Sequence, residues 1–208
     1  DALPISAYQT AAGTADIMSH IMECYFSNVQ GYMQDRMAEG LFKTCIEFGV
    51  KAITKPDDYE ARANLMWASS WAINNFIKLG KAVEWSVHPM EHQLSAYYDI
   101  THGVGLAILT PHWMEHVLND NTVEKFKEFG VNVWDLSKDE DAYTIAHQAI
   151  QKTREYFVAM GIPTTLREVG IVDDRYFDVM AEKACAGLEA AFVPLTKEDV
   201  KAIYQKAL

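Results

Sequence analysis

Apolar side chains recur at every third or fourth position along almost the whole chain. Met33, Met37, Leu41, Cys45 and Phe48 show the spacing most plainly. That period puts them on one face of an α-helix. Only Val131 to Trp134 reads as a strand, and it is short. A chain with so much helical period and so little sheet must bury its apolar stripes helix against helix. The expected fold is therefore all-α, a multi-helix bundle of roughly eight to ten helices, in a single domain over residues 1–208.

Local signals divide the chain. A first helix is expected over Tyr8 to Asn28 and a second over Tyr32 to Ile53. Lys55-Pro56-Asp57-Asp58 ends the second, and Asp57 or Asp58 can cap a third that runs to Leu79 and stops at Gly80. Ser137 and Glu140 have the spacing of a capping box. The helix after them ends at Gly161-Ile162-Pro163, and Thr196 to Asp199 opens the last one.

Bulk properties narrow the function. Half of the 208 residues are apolar and 12% are aromatic, so the chain can build a sizeable core. A net charge of −11 repels phosphate backbones and anionic lipid, which argues against nucleic-acid and membrane partners. No apolar run approaches the ~20 residues of a membrane span, and no signal peptide is visible. Cys24, Cys45 and Cys185 are odd in number and scattered, which suits a reducing cytoplasm. The chain opens at Asp1 without a methionine, as the inner part of a longer protein would.

Residues 88–116 hold five of the seven histidines and read H-x-x-E-H twice, at His88–His92 and at His112–His116. His88 and His102 would stand about 21 Å apart on one straight helix, too far to share a metal ion. The turn-forming run from Asp99 to Gly103 can fold the chain back between them. One helix would then span Pro89 to Tyr98, and a second would start near Gly103 and meet a break or kink at Pro111. Further ligands are at hand. Asp16 and His20 lie four residues apart on one face of the first helix, among small apolar residues. A charged pair in such surroundings needs a partner. Asp16, His20, His88 and His102 together make a shell of three imidazoles and one carboxylate, suited to Fe²⁺ or Zn²⁺.

Other readings stay open. H-x-x-E-H is also a zinc-metallopeptidase signature, with Glu91 as its base. An Asp/His pair on a helix can equally be an ordinary polar pair in a metal-free helical interaction module. His112 and His116 read as surface or interface residues, and His147 as half-buried.

Two motifs in order resemble the iron-containing alcohol dehydrogenases: TAAGTADIMSH, then HPMEHQLSAYYDITHG followed by LAILTP. The wording of QDRMAEGLFKT and EARANLMWASS is nearer the butanol-dehydrogenase-like branch. The resemblance implies the C-terminal, metal-binding domain of a two-domain NAD(P)-dependent alcohol dehydrogenase or aldehyde reductase, with a small alcohol or aldehyde as substrate. It implies that Asp16, His20, His88 and His102 bind the metal, and that His92 sits by the nicotinamide and helps to move a proton. Pro89 departs from the small or apolar residue usual there, though a first helical turn accepts it. The NAD(P)H would be bound mainly by an N-terminal nucleotide-binding domain, absent from this chain. Gly103-x-Gly105 cannot replace that domain's loop, because no strand precedes it and Ile108 stands at the third glycine position. The chain alone is therefore expected to be inactive, and the assembled protein a homodimer. A divalent ion on three imidazoles and one carboxylate leaves the site net positive, which favours an alkoxide.

Overall fold

The computed structural model describes residues 5–83 and 85–208; Asp1, and with it the reading of the chain's start, lies outside them. The described residues form nine α-helices and no strand. In chain order these are α1 (Ala7–Tyr25), α2 (Tyr32–Thr54), α3 (Tyr59–Ile73), α4 (Val87–Tyr98), α5 (His102–Val117), α6 (Val123–Trp134), α7 (Ala142–Ala159), α8 (Phe177–Ala184) and α9 (Lys197–Ala207).

The first helix is the centre of the bundle. It packs on α2, α3 and α5, and most of its length from Thr10 onward is buried. Ala11, Ala12 and Ala15 keep its surface low, so neighbouring helices approach closely. At its C-terminal end Tyr25 and Phe26 join Phe42, Trp113, Phe126 and Phe129 in an aromatic cluster that ties α1 to α2, α5 and α6. On the other side α4 lies between α5 and α8, and the Tyr204 hydroxyl of α9 donates to the Met90 carbonyl at 2.7 Å. Cys24 and Cys45 are buried free thiols and Cys185 is half-buried.

Several expected boundaries move. Asp58 caps α3 through the Ala61 N–H, but the helix ends at Ile73, where Asn75 takes a left-handed φ of 73°. A short 3-10 turn over Phe76–Lys78 then leads to Gly80 at φ 79°. The Ser137/Glu140 capping box does not form. Asp141 caps α7 instead, accepting from the Thr144 N–H at 3.0 Å. Val131–Trp134 is helical, because Phe126, Phe129 and Val133 continue one apolar face of α6 into the core. α5 does not break at Pro111 but continues to Val117. Its whole stretch from Gly103 to Pro111 is buried, and that packing holds the helix through a proline that would break an exposed one. His147 is exposed rather than half-buried.

Candidate metal centre

Four sequence-distant side chains meet at one point. Asp16 and His20 come from the middle of α1, His88 from the first turn of α4, and His102 is the first residue of α5. The Nε2 atoms of His20, His88 and His102 each lie 3.5 Å from the same Asp16 Oδ1. Ligand atoms of Asp16, His88 and His102 all fall within 4.8 Å of one another. His20 joins from the α1 side, its ring centroid 4.5 Å from that of His88.

The chain reversal that brings His88 and His102 together is the expected one. Asp99 closes α4 in a left-handed conformation (φ 54°), and Thr101 precedes α5. Gly103 then permits the approach of α5 to α1. A Cβ there would stand 1.9 Å from the Ala12 carbonyl oxygen. Gly105 gives the same freedom toward α4, since its Cβ would meet Glu91 Oε1 at 2.7 Å. The glycine pair thus serves helix packing, not a nucleotide.

The sequence reading missed two residues of this centre. Glu23 and Glu91 are 3% and 0% exposed, and each takes the Nδ1 of one histidine. His88 Nδ1 donates to Glu23 Oε2 at 2.6 Å, and His102 Nδ1 donates to Glu91 Oε2. A carboxylate only accepts, so these contacts place a proton on Nδ1, and in the neutral ring that a metal requires the Nε2 lone pair faces Asp16. Glu23 also accepts from the Val87 and His88 N–H groups at 2.7 and 3.0 Å, capping α4 where Ser86 does not. Ser95 holds Glu91 from the other side at 2.6 Å. The signal for Glu23 was present: with Asp16 and His20 it continues one stripe of α1, seven residues from the aspartate. His20 has no such support. Its Nδ1 is buried without a partner among the described residues, and Trp85 stands edge-on to both His20 and His88 at 5.2 and 4.8 Å.

The electrostatics call for positive charge. Burial opposes ionisation of Asp16, yet His102 and His88 outweigh it and hold the carboxyl well below the usual range. Burial likewise opposes protonation of His88, but Asp16 and Glu23 raise it to about 9. Asp16 and Glu91 raise His102 to about 10. His20, with burial and the neighbouring His88 against it, is shifted down. A divalent cation answers the same field. Asp16 Oδ1 and His88 Nε2 are both buried with no hydrogen bond. Four ligands about 2.1 Å from a tetrahedral centre stand about 3.4 Å apart, close to the 3.5 Å separations between Asp16 and the three imidazoles. The donor set of one oxygen and three nitrogens suits iron or zinc. The net-positive site expected from four ligands needs correction, however: the buried Glu23 and Glu91 turn the local charge count negative.

His92 lies beside this cluster, one turn along α4 from His88. It is exposed, and its ring stacks on His102 at 5.4 Å and 26°. The peptidase reading loses its base, because Glu91 is buried and committed to His102. The second H-x-x-E-H makes no comparable group, with His116 paired to Asp199 at 3.0 Å. Removing either outer carboxylate should loosen the centre without abolishing it. Glu23→Gln and Glu91→Gln are each expected to weaken Zn²⁺ binding on the order of 10- to 100-fold by calorimetry; unchanged affinity in both would reduce these residues to ordinary buried acids.

Residues 10–208 match the family model described as the Fe-containing alcohol dehydrogenase family, C-terminal. The chain is 60% identical over 205 residues to NADH-dependent butanol dehydrogenase B of Clostridium acetobutylicum, covering 96% of this chain and 52% of that protein. It is 36% identical over 165 residues to the NADPH-dependent aldehyde reductase YqhD of Escherichia coli, covering 78% and 42%. Among solved structures, the substrate- and cofactor-free form of that aldehyde reductase superposes with a TM-score of 0.90 at 30% identity, over 98% of this chain and 54% of the other. NADH-dependent butanol dehydrogenase A of Thermotoga maritima gives 0.88 at 31% identity, over 98% and 53%. The chain spans about half the length of the curated relatives it matches.

Proposed function

This chain belongs to the iron-containing alcohol dehydrogenase family, and we propose that it is the metal-binding domain of an NAD(P)-dependent alcohol dehydrogenase or aldehyde reductase. In this reading residues 1–208 are one domain, and a nucleotide-binding domain elsewhere in the complete polypeptide presents the nicotinamide. The observation that carries the proposal is the convergence of three imidazole Nε2 atoms on one Asp16 oxygen, each at 3.5 Å. Asp16, His20, His88 and His102 hold the ion. Bound there, a divalent ion supplies Lewis-acid polarisation of the substrate oxygen.

The chain's own residues do the rest. Glu23 and Glu91 fix two imidazole rings and their tautomers. Trp85 walls the centre against water beside His20 and His88. His92, exposed and stacked on His102, holds a proton within reach of solvent and of the neighbouring site. From there it would carry a proton between the substrate oxygen and water, the hydride chemistry being what a bound nicotinamide would supply.

The experiment is an aldehyde-reduction assay with butyraldehyde and NADH or NADPH. The complete polypeptide loaded with Fe²⁺ or Zn²⁺ should turn over, and this chain alone should not. Turnover by the chain alone, or none by the complete metal-loaded protein, would overturn the proposal. His92→Ala should lower kcat about 100-fold while metal content stays at one ion per chain; an unaltered kcat would remove His92 from the proton path.

A further inference from the structure

Two clefts lie along the seam between α1 and α3. The first, about 270 Å³, is walled by Asp16 and His20 on one side and by Ser70, Ala72 and Ile73 of α3 on the other. The second, about 280 Å³, continues toward the N-terminal end of α1 between Thr10, Gly13 and Thr14 and the α3 residues Leu65 and Met66. Ile17 and Ser69 line both, so the two clefts adjoin along α1, the first of them at the metal centre; together they are called the α1/α3 groove. From Asp16 back to Gln9 it follows two turns of α1, about 10 Å.

The walls explain what the groove prefers. Ile17, Leu65 and Met66 are apolar, and Met66 is 72% exposed. Beyond the metal centre, Thr14, Ser69 and Arg62 along it already have partners. Thr14 donates its hydroxyl to the Thr10 carbonyl at 2.8 Å, and Ser69 donates to the Met66 carbonyl at 2.7 Å. The Arg62 guanidinium is turned onto the Ile5 carbonyl at 3.2 Å and the Pro56 carbonyl. A groove that offers apolar surface and few free polar groups selects an alkyl chain. Its start at Asp16 and His20 says which one: a chain whose terminal oxygen reaches the metal centre. The nicotinamide partner, His92, lies on the His102 side of the centre and is not part of this groove.

We propose that the α1/α3 groove is the subsite for the alkyl tail of a medium-chain alcohol or aldehyde, with Ile17 and Met66 setting how long a tail it takes. The assignment rests on the reading of the metal centre as the place where the substrate oxygen binds. Each methylene seated in the groove raises affinity roughly fourfold.

Gly13 gives the test. It is exposed on the groove side of α1, and a Cβ added there meets nothing within 4 Å. Gly13→Leu therefore leaves the helix intact and fills the groove. The first measurement follows the Met66 ε-methyl by NMR in the metal-loaded complete protein during titration with ethanol, 1-butanol and 1-hexanol. Saturable shifts that tighten with chain length are expected, and Gly13→Leu should abolish them while metal content holds. The second measures kcat/KM for hexanal relative to acetaldehyde; this ratio should fall at least about tenfold in Gly13→Leu. A silent Met66, which would mean that another part of the protein covers the groove, overturns the proposal, as does a Gly13→Leu ratio equal to the parent's. The NMR titration needs no turnover, so failure of the dehydrogenase reading and failure of the groove give different results.

Discussion

Asp16→Ala is expected to weaken Fe²⁺ or Zn²⁺ binding by about a thousandfold or more and to abolish alcohol oxidation in the complete protein. The reason lies in position. Asp16 Oδ1 stands 3.5 Å from each of the three imidazole Nε2 atoms, so its carboxylate is shared by all three. Without it His20 loses its one ion-pair partner among the described residues, while His88 and His102 keep Glu23 and Glu91. The two supported imidazoles still hold an ion, but weakly. Elemental analysis after dialysis and calorimetric titration of the metal-free protein are the measurements. Retention of one tightly bound ion per chain by Asp16→Ala would remove the aspartate from the centre.

The second large effect is mechanical. Gly103→Ala places a methyl 1.9 Å from the Ala12 carbonyl oxygen and 2.6 Å from its carbon. The obstacle is backbone on the central helix, so no side chain can turn away. α5 must lift off α1, and the cost is on the order of 3–5 kcal/mol. In a domain of this size that lowers Tm by roughly 10 °C. The same displacement carries His102 away from Asp16, so metal affinity should fall together with stability. Gly40→Ala is the control, because a Cβ there meets nothing within 4 Å. A Gly103→Ala protein that melts within a degree or two of the parent, with full metal content, would contradict this packing.

The ligands of the candidate centre were legible in the sequence because each carries a local signature. Asp16 and His20 are four apart on an apolar helix. His88 and His102 flank turn chemistry that only makes sense if the chain doubles back. Glu23 and Glu91 were harder to see. A glutamate on a helix is most often solvated, and what marks these two is burial against an imidazole on another helix. Only the three-dimensional arrangement supplies that, although the seven-residue step from Asp16 to Glu23 was available. The fold class followed from period alone, while the errors were all local. Val131–Trp134 has strand-forming residues, but its register with Phe126 and Phe129 decides for helix. Pro111 has the chemistry of a helix breaker, but the burial of α5 overrides it. At α7 the capping-box spacing of Ser137 and Glu140 pointed to an earlier start, but Asp141 caps the helix and leaves a longer connection after α6.

Loaded crystals test the central claim most directly. Anomalous scattering from protein saturated with Zn²⁺ or Fe²⁺ should show a single strong peak per chain, about 2.1 Å from Asp16 Oδ1 and from the Nε2 atoms of His20, His88 and His102. A peak instead between Glu91, His92 and His102, or one near His112 and His116 with the Asp16 cluster empty, would contradict the account.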